Sequence, residues 1–181
     1  MEFQEYSFGT DDIGRRLDRI IRRFLPDYSL SEIYGLIRKG LIKINLKKTK
    51  ENVRINEGDI LYIADFINSN KSKKLSDALN SKNIIDIDSL IVFKNQDILI
   101  LNKPYDTKVH GDNNSLDYAV RIWFEKNIKN DSLSFKPGPL HRLDRKTTGL
   151  LAFSLSLKGA KWFSENIENH NIKKTYLGIC D

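Results

Sequence analysis

The chain has 181 residues, 40% of them hydrophobic and 30% charged, with a formal net charge of +6. That length holds one ordinary domain or two small ones, and the composition excludes wholesale disorder. No apolar run approaches the ~20 residues needed to cross a bilayer, which predicts a soluble chain without a membrane partner. The start, Met1-Glu2-Phe3-Gln4-Glu5-Tyr6, is acidic and polar where a secretory signal would be basic and then apolar. Cys180 stands alone, so an intramolecular disulfide is impossible and a reducing, cytoplasmic setting is expected. Three scattered histidines and one cysteine do not compose a zinc cluster, so no metal is expected either.

Between Ile13 and Ile63 there are 12 Lys and Arg against 6 Asp and Glu, the densest basic excess in the chain. Such a patch suits a polyanion such as RNA, or else a solvated surface. Here Ile13, Leu17, Ile20, Ile21, Phe24 and Leu25 recur at helical spacing, with Arg15, Arg16, Arg19, Arg22 and Arg23 on the remainder and Pro26 as the stop. Ser29 and Glu32 have the spacing of a capping box for a second helix, whose buried face is Ile33, Leu36 and Ile37 and whose end is Gly40. A short strand at Ile42-Lys43-Ile44, a basic turn over residues 45–50, an alternation at Val53 and Ile55, and a strand at Ile60-Leu61-Tyr62-Ile63 complete two helices and a small bent sheet.

Asn68 to Ser81 is polar, without a sustained apolar face, and reads as a linker or a short exposed helix. Beyond it, Leu90-Ile91-Val92-Phe93 and Ile98-Leu99-Ile100-Leu101 flank a turn, and Asn102-Lys103-Pro104 ends the second strand. Leu116, Ala119, Val120, Trp123 and Phe124 share one face of a helix over about 115–126, and this aromatic pair is expected in the core. Pro137-Gly138-Pro139 imposes an irregular approach to His141-Arg142-Leu143-Asp144-Arg145-Lys146-Thr147-Thr148-Gly149. A buried strand at Leu150-Leu151-Ala152-Phe153 and a helix marked by Ala160, Phe163 and Ile167 follow, and Tyr176 begins an apolar strand.

The nine residues from His141 to Gly149 set one carboxylate among basic side chains. Neighbouring positive charge favours the ionised form, so Asp144 suits a nucleophile or a fixed negative charge better than a proton donor. By residue type alone an Asp beside Arg is a surface salt bridge, usually worth little. The stretch, however, resembles without gaps the H-R-L-D-x-x-[ST]-[ST]-G signature of the RluA-type pseudouridine synthases, whose catalytic Asp maps onto Asp144. Asn102-Lys103-Pro104 resembles the N-K-P-x-G-x-x-x-H segment of the same family, with Asp106 in place of Gly and His110 kept. Lys174-Thr175-Tyr176 is similar to its K-x-Y element, which places Tyr176 in the catalytic cleft, to stack on a uracil or move a proton.

Arg16-Leu17-Asp18, Ser31 through Asn45, and Gly58-Asp59 through Ile63 resemble the alpha-L RNA-binding domain shared by a small-subunit ribosomal protein and several RNA-modifying enzymes. That resemblance implies that Arg16, Arg38, Lys39, Lys47 and Lys48 lie near a phosphate-binding face. The turn after Asn45 often carries Gly, whereas Leu46 stands here, so a different turn is expected.

The resemblance implies an α+β protein. A two-helix, short-sheet RNA-binding domain occupies residues 13–66 and a linker residues 67–83. The N-terminal portion of a synthase domain, a mainly antiparallel sheet flanked by helices, occupies residues 84–181. The family's catalytic domain ordinarily continues through a second half with a late basic residue that pairs with the Asp, and neither it nor its aliphatic neighbour has a match here. A chain that ends part way is therefore expected. The implied reaction converts uridine to pseudouridine by breaking the N1–C1′ bond, turning the retained uracil and joining C5 to C1′, which needs no cofactor. Asp144 could attack C1′, attack the uracil ring or abstract a 2′ proton. The base must leave its stack at a cost of a few kcal/mol, and Arg142 would occupy the vacated space or hold the adjacent phosphate, while His141 shapes the loop. The implied partner is RNA, with large-subunit ribosomal RNA first and transfer RNA second, and no obligate protein partner is evident. The other reading open at this point is a non-catalytic RNA-binding protein that carries a truncated synthase remnant.

Overall fold

The computed structural model describes residues 1–67 and 85–178. The linker expected over residues 67–83 falls almost entirely outside them, as do Cys180 and the chain end. Among the described residues there are two four-stranded antiparallel sheets and four α-helices, the α+β class expected, and no helix is long and apolar enough to cross a membrane.

The first sheet runs β1 (Phe3–Ser7), β4 (Ile60–Ala64), β2 (Ile42–Ile44) and β3 (Lys47–Lys48) in spatial order. The edge strand β1 was not foreseen. Its alternation is weak because an edge strand is covered on one side only, and its register is set by five pairs with β4, from Phe3 opposite Ala64 to Ser7 opposite Ile60. Helices α1 (Leu17–Phe24) and α2 (Leu30–Lys39) close the face of this sheet. Leu17, Ile20, Ile21, Ile33, Ile37, Ile42, Leu61 and Ile63 are buried together as one core.

Helix α1 begins at Leu17, four residues later than the apolar stripe suggested. Gly14 has φ +75° and donates its N–H to Ile55 O, and Arg16 forms a bridge with Arg54, so residues 13–16 are held as a turn against the segment 53–55. Val53 and Ile55 therefore do not form a strand. Helix α2 has the expected ends. Ser29 Oγ accepts from Glu32 N–H while the Glu32 carboxylate accepts from Ser29 N–H, and Gly40 takes the left-handed conformation with φ +72°.

A different turn between β2 and β3 was expected, but the structure makes the tight two-residue connection. Asn45 and Leu46 have φ +51° and +63°, the positive pair that characterises a type I′ hairpin turn. Leu46 tolerates this because it is exposed and Asn45 is pinned, its side chain donating to Asp59 and accepting from Ile60 N–H.

The second sheet runs β5 (Ile91–Lys94), β6 (Ile98–Lys103), β8 (Gly149–Ser154) and β7 (Gly138–Pro139). Helices α3 (Leu116–Asn127) and α4 (Leu157–Glu168) flank it, capped at Ser115 and Ser156. Trp123 and Phe124 belong to its core with Leu99, Leu101, Leu151 and Phe153, as their spacing required.

The two sheets meet at a polar joint. Asp12, with no exposed surface, accepts hydrogen bonds from Gly9 N–H, Ser132 Oγ, Leu133 N–H, Ser134 N–H and Ser134 Oγ. Arg15 donates to Ser134 Oγ, Asp11 accepts from Leu157 N–H at the start of α4, and Leu133 packs on the first core. Gly9 is needed for this approach, since a Cβ there would lie 2.5 Å from Ser132 N.

Candidate functional site

The segment His141 to Asp144 follows β7 through a bend at residues 140 and 141, and exposure alternates along it. His141 is half-buried, Arg142 exposed, Leu143 buried and Asp144 exposed. Leu143 enters the second core, so the residue after it faces solvent. The chain then turns, with Thr147 N–H donating to Asp144 O at 3.0 Å, and enters β8 at Gly149. Asp144 thus stands at the first position of a turn with its carboxylate presented outward.

Three anchors hold this turn from behind. The strongest is Lys103, the last residue of β6, which has no exposed surface. Its ammonium donates to three carbonyl oxygens, Pro104 at 3.0 Å, Arg145 at 2.9 Å and Thr147 at 2.7 Å, using all its N–H bonds. Burial pulls its pKa below the usual lysine range, opposed by the charge of Asp106. The second anchor is His141, whose Nε2 accepts from Ala152 N–H at 3.1 Å and whose ring stacks on Phe163. An accepting Nε2 fixes the neutral tautomer with its proton on Nδ1. Burial lowers the His141 pKa in the same sense, opposed by the Arg142 backbone and helped by the nearby charge of Lys174.

The third anchor is a pair across the mouth of the loop. Arg145 meets Asp106 through Nη2 to Oδ2 at 2.9 Å and Nε to Oδ1 at 2.8 Å. Asp106 has φ +57°, a conformation that glycine adopts freely and Asp tolerates. The replacement noticed in the sequence therefore keeps the backbone of a glycine and adds a carboxylate that engages the loop.

These contacts revise the expectation that the basic neighbours hold the Asp144 carboxylate. Arg145 is turned to Asp106, and among the described residues no ion pair or side-chain hydrogen bond engages Asp144. Its position is fixed through the backbone. Arg142 is exposed beside it. Tyr176 is 61% exposed in a segment without regular structure, so the strand expected there is not formed, and no contact joins Tyr176 to Asp144 among the described residues. Sequence reasoning missed Lys103. The available signal was a lysine at the end of an apolar strand, next to a proline that supplies no N–H.

At the other end of the molecule, Arg38 and Lys39 are exposed in the last turn of α2, and Lys47 and Lys48 are exposed on β3. The Lys48 side chain lies over Gly40, 2.9 Å from where a Cβ would stand, so the helix end and the hairpin form one basic surface. Arg16 is committed differently. It grips Asp18 through Nε at 3.1 Å and Nη2 at 2.7 Å, while Tyr34 Oη and Arg19 N–H donate to the same carboxylate. Burial would raise the pKa of Asp18, but the bonds from Arg16 and Tyr34 outweigh it and hold the carboxyl below its usual range.

Two family models match the chain, one described as S4 domain over residues 15–61 and one described as RNA pseudouridylate synthase over residues 97–181. Ribosomal large subunit pseudouridine synthase C of Vibrio parahaemolyticus is 25% identical over 178 residues, covering 98% of this chain and 55% of that protein. The protein of the same name from Escherichia coli strain K12 is 27% identical over 171 residues, covering 94% and 52%. The chain thus spans about half the length of the curated relatives it matches. A solved structure, human RNA pseudouridylate synthase domain containing 4, overlaps 55% of this chain and 35% of its own at 19% identity, with a TM-score of 0.39.

Proposed function

On the premise that the chain joins an S4 domain to a segment of the RNA pseudouridylate synthase family, we propose that it acts in the isomerisation of uridine to pseudouridine in RNA, with Asp144 as the catalytic carboxylate. The reading carries over the division into an RNA-binding unit over 13–66, a linker over 67–83 and a synthase unit over 84–181. The single observation that carries it is the presentation of Asp144. A carboxylate that faces outward, with no partner among the described residues, on a turn whose backbone is fastened by Lys103, is placed for use.

The reaction is an isomerisation, so every atom of the uridine is retained. A glycosidase needs a second carboxylate to assist water, but here the displaced base itself returns to C1′ through C5. The demand on the protein is one nucleophile or anionic stabiliser, a site that keeps the detached uracil and a path for the C5 proton. Asp144 meets the first demand. Arg142, exposed next to it, stabilises the extruded nucleotide by filling its place or binding the adjacent phosphate. Tyr176 serves the base by stacking or proton movement, and His141, neutral and bonded to β8, keeps the loop in shape. Arg38, Lys39, Lys47 and Lys48 bind phosphates, and Arg16 contributes while orienting Asp18. Large-subunit ribosomal RNA is the proposed substrate, supported by the names of the relatives, and transfer RNA is second. A soluble, cytoplasmic setting without an obligate protein partner accompanies this reading.

The protein that carries this chain should release tritium from 5-tritiated uridine in its RNA. Asp144→Asn should abolish the release and leave RNA affinity intact, whereas undiminished release from the variant would remove Asp144 from the chemistry. A second reading, RNA binding without catalysis, rests on the S4 domain match over residues 15–61 alone. That reading predicts RNA binding by the chain with no tritium released from any ribosomal or transfer RNA.

A further inference from the structure

A cleft of about 660 Å³ opens between α1 and α3, away from the Asp144 loop. That volume is in the range of ligand sites. Its floor is apolar and aromatic, with Tyr28, Leu133 and Phe135 half-buried, and its rim is cationic. Arg23 comes from the last turn of α1, Arg121 from α3 and Lys136 from the segment before β7, and all three line the cleft. They are exposed, and they come from both sides of the joint that Asp12 fastens.

We propose that this cleft is a second RNA contact, in which Arg23, Arg121 and Lys136 bind the phosphates of a single-stranded segment whose base rests on the Tyr28 and Phe135 floor. The proposal rests on the reading of the chain as an RNA-modifying protein and adds a path for the strand between its two units. Burial lowers the pKa of Lys136, and the charges of Arg121 and Arg23 lower it further, with Glu125 the weaker opposing group. Like charges packed this way repel one another until an anion sits among them. The acidic groups at the cleft are Asp27 and Glu125, and Arg121 is also paired at 2.7 Å with Asp117, which His110 approaches as well.

Asn68 to Ile84, which follows Ile67 at the cleft wall, carries four lysines and one aspartate. A base on an aromatic floor with phosphates on a basic rim is also how single strands are held without sequence selection. An acidic protein segment would satisfy the rim but not the floor.

The test is the salt dependence of binding between the chain and a short labelled single-stranded RNA. Arg23→Ala with Lys136→Ala should weaken binding roughly fivefold or more and reduce the slope of log K against log salt by about 1.4, given ~0.7 per single-strand phosphate contact. Arg38→Ala with Lys39→Ala is the control on the other basic surface. If the control pair weakens binding while the cleft pair leaves affinity and slope unchanged, the cleft is not on the RNA path, and the RNA-binding reading survives. If the wild-type chain binds no RNA, both readings fall. If polyglutamate binding is lost in the cleft pair and RNA binding is not, the cleft belongs to an acidic protein partner. Both variants change exposed side chains, and unchanged circular dichroism would confirm that they fold.

Discussion

Asp12 and Asp144 show two opposite uses of one side chain. Asp12 has no exposed surface and accepts five hydrogen bonds, so every lone pair it can offer is committed to joining the two sheets. Asp144 is exposed, and among the described residues nothing engages its carboxylate, while Lys103 fastens the backbone beneath it. The joint spends its carboxylate on structure. The loop takes its rigidity from a different residue, so its carboxylate stays available.

The widest separation between the two should appear in stability. Asp12→Ala takes an acceptor from two hydroxyls and three backbone N–H groups, of which Ser134 N–H keeps a second one in Ser132 Oγ, and should lower unfolding free energy by about 3–5 kcal/mol in urea titrations. Asp144→Ala in the same titration should stay within about 0.5 kcal/mol of wild type. Equal losses would end the distinction. Lys103→Met should come next, at about 2–3 kcal/mol, because three part-buried carbonyls lose their donor. Limited proteolysis should then cut between Asp144 and Gly149, and an uncut loop would show that other anchors suffice.

His141 gives the loop region a titratable anchor. Its folded pKa lies below the ordinary 6.5, so its contribution is fully present above that value and is lost as the pH falls toward the folded pKa. Thermal melting followed from pH 8 to pH 5 should decline less steeply in His141→Gln than in wild type, and parallel curves would assign the acid sensitivity elsewhere. The smallest effect is expected at Asp106→Gly. Relief of a positive φ, worth about 1 kcal/mol, offsets an exposed ion pair worth about 0–1 kcal/mol, so the melting temperature should barely move. A large drop would make the Arg145 pair a principal support of the loop.

Much of the fold could be read where local chemistry and tertiary structure agree. Ser29, Glu32 and Gly40 marked the ends of α2, and the apolar faces of α1 and α3 identified both cores. Reading failed where a distant segment decided the outcome. Residues 13–16 continue a helical stripe, but residues 53–55 hold them as a turn. Strand β1 exists because β4 offers an edge, and Phe3-Gln4-Glu5-Tyr6-Ser7 carries little of that information. At the loop, the motif picked out Asp144 but misjudged how it is fixed. Charge adjacency set Asp144 among basic neighbours without saying which would hold it, whereas the support comes from Lys103, some forty residues earlier in the chain. The joint at Asp12 was invisible because nothing local distinguishes an aspartate that will find Ser132 and Ser134.

The in-and-out order of His141, Arg142, Leu143 and Asp144 makes the motif a matter of parity. Deleting or inserting one residue between Leu140 and Leu143 would leave composition and charge almost unchanged, yet it would exchange the two faces and drive either Leu143 or the carboxylate to the wrong side. The spacing of this stretch is therefore constrained by the burial of Leu143, independently of any chemistry assigned to Asp144.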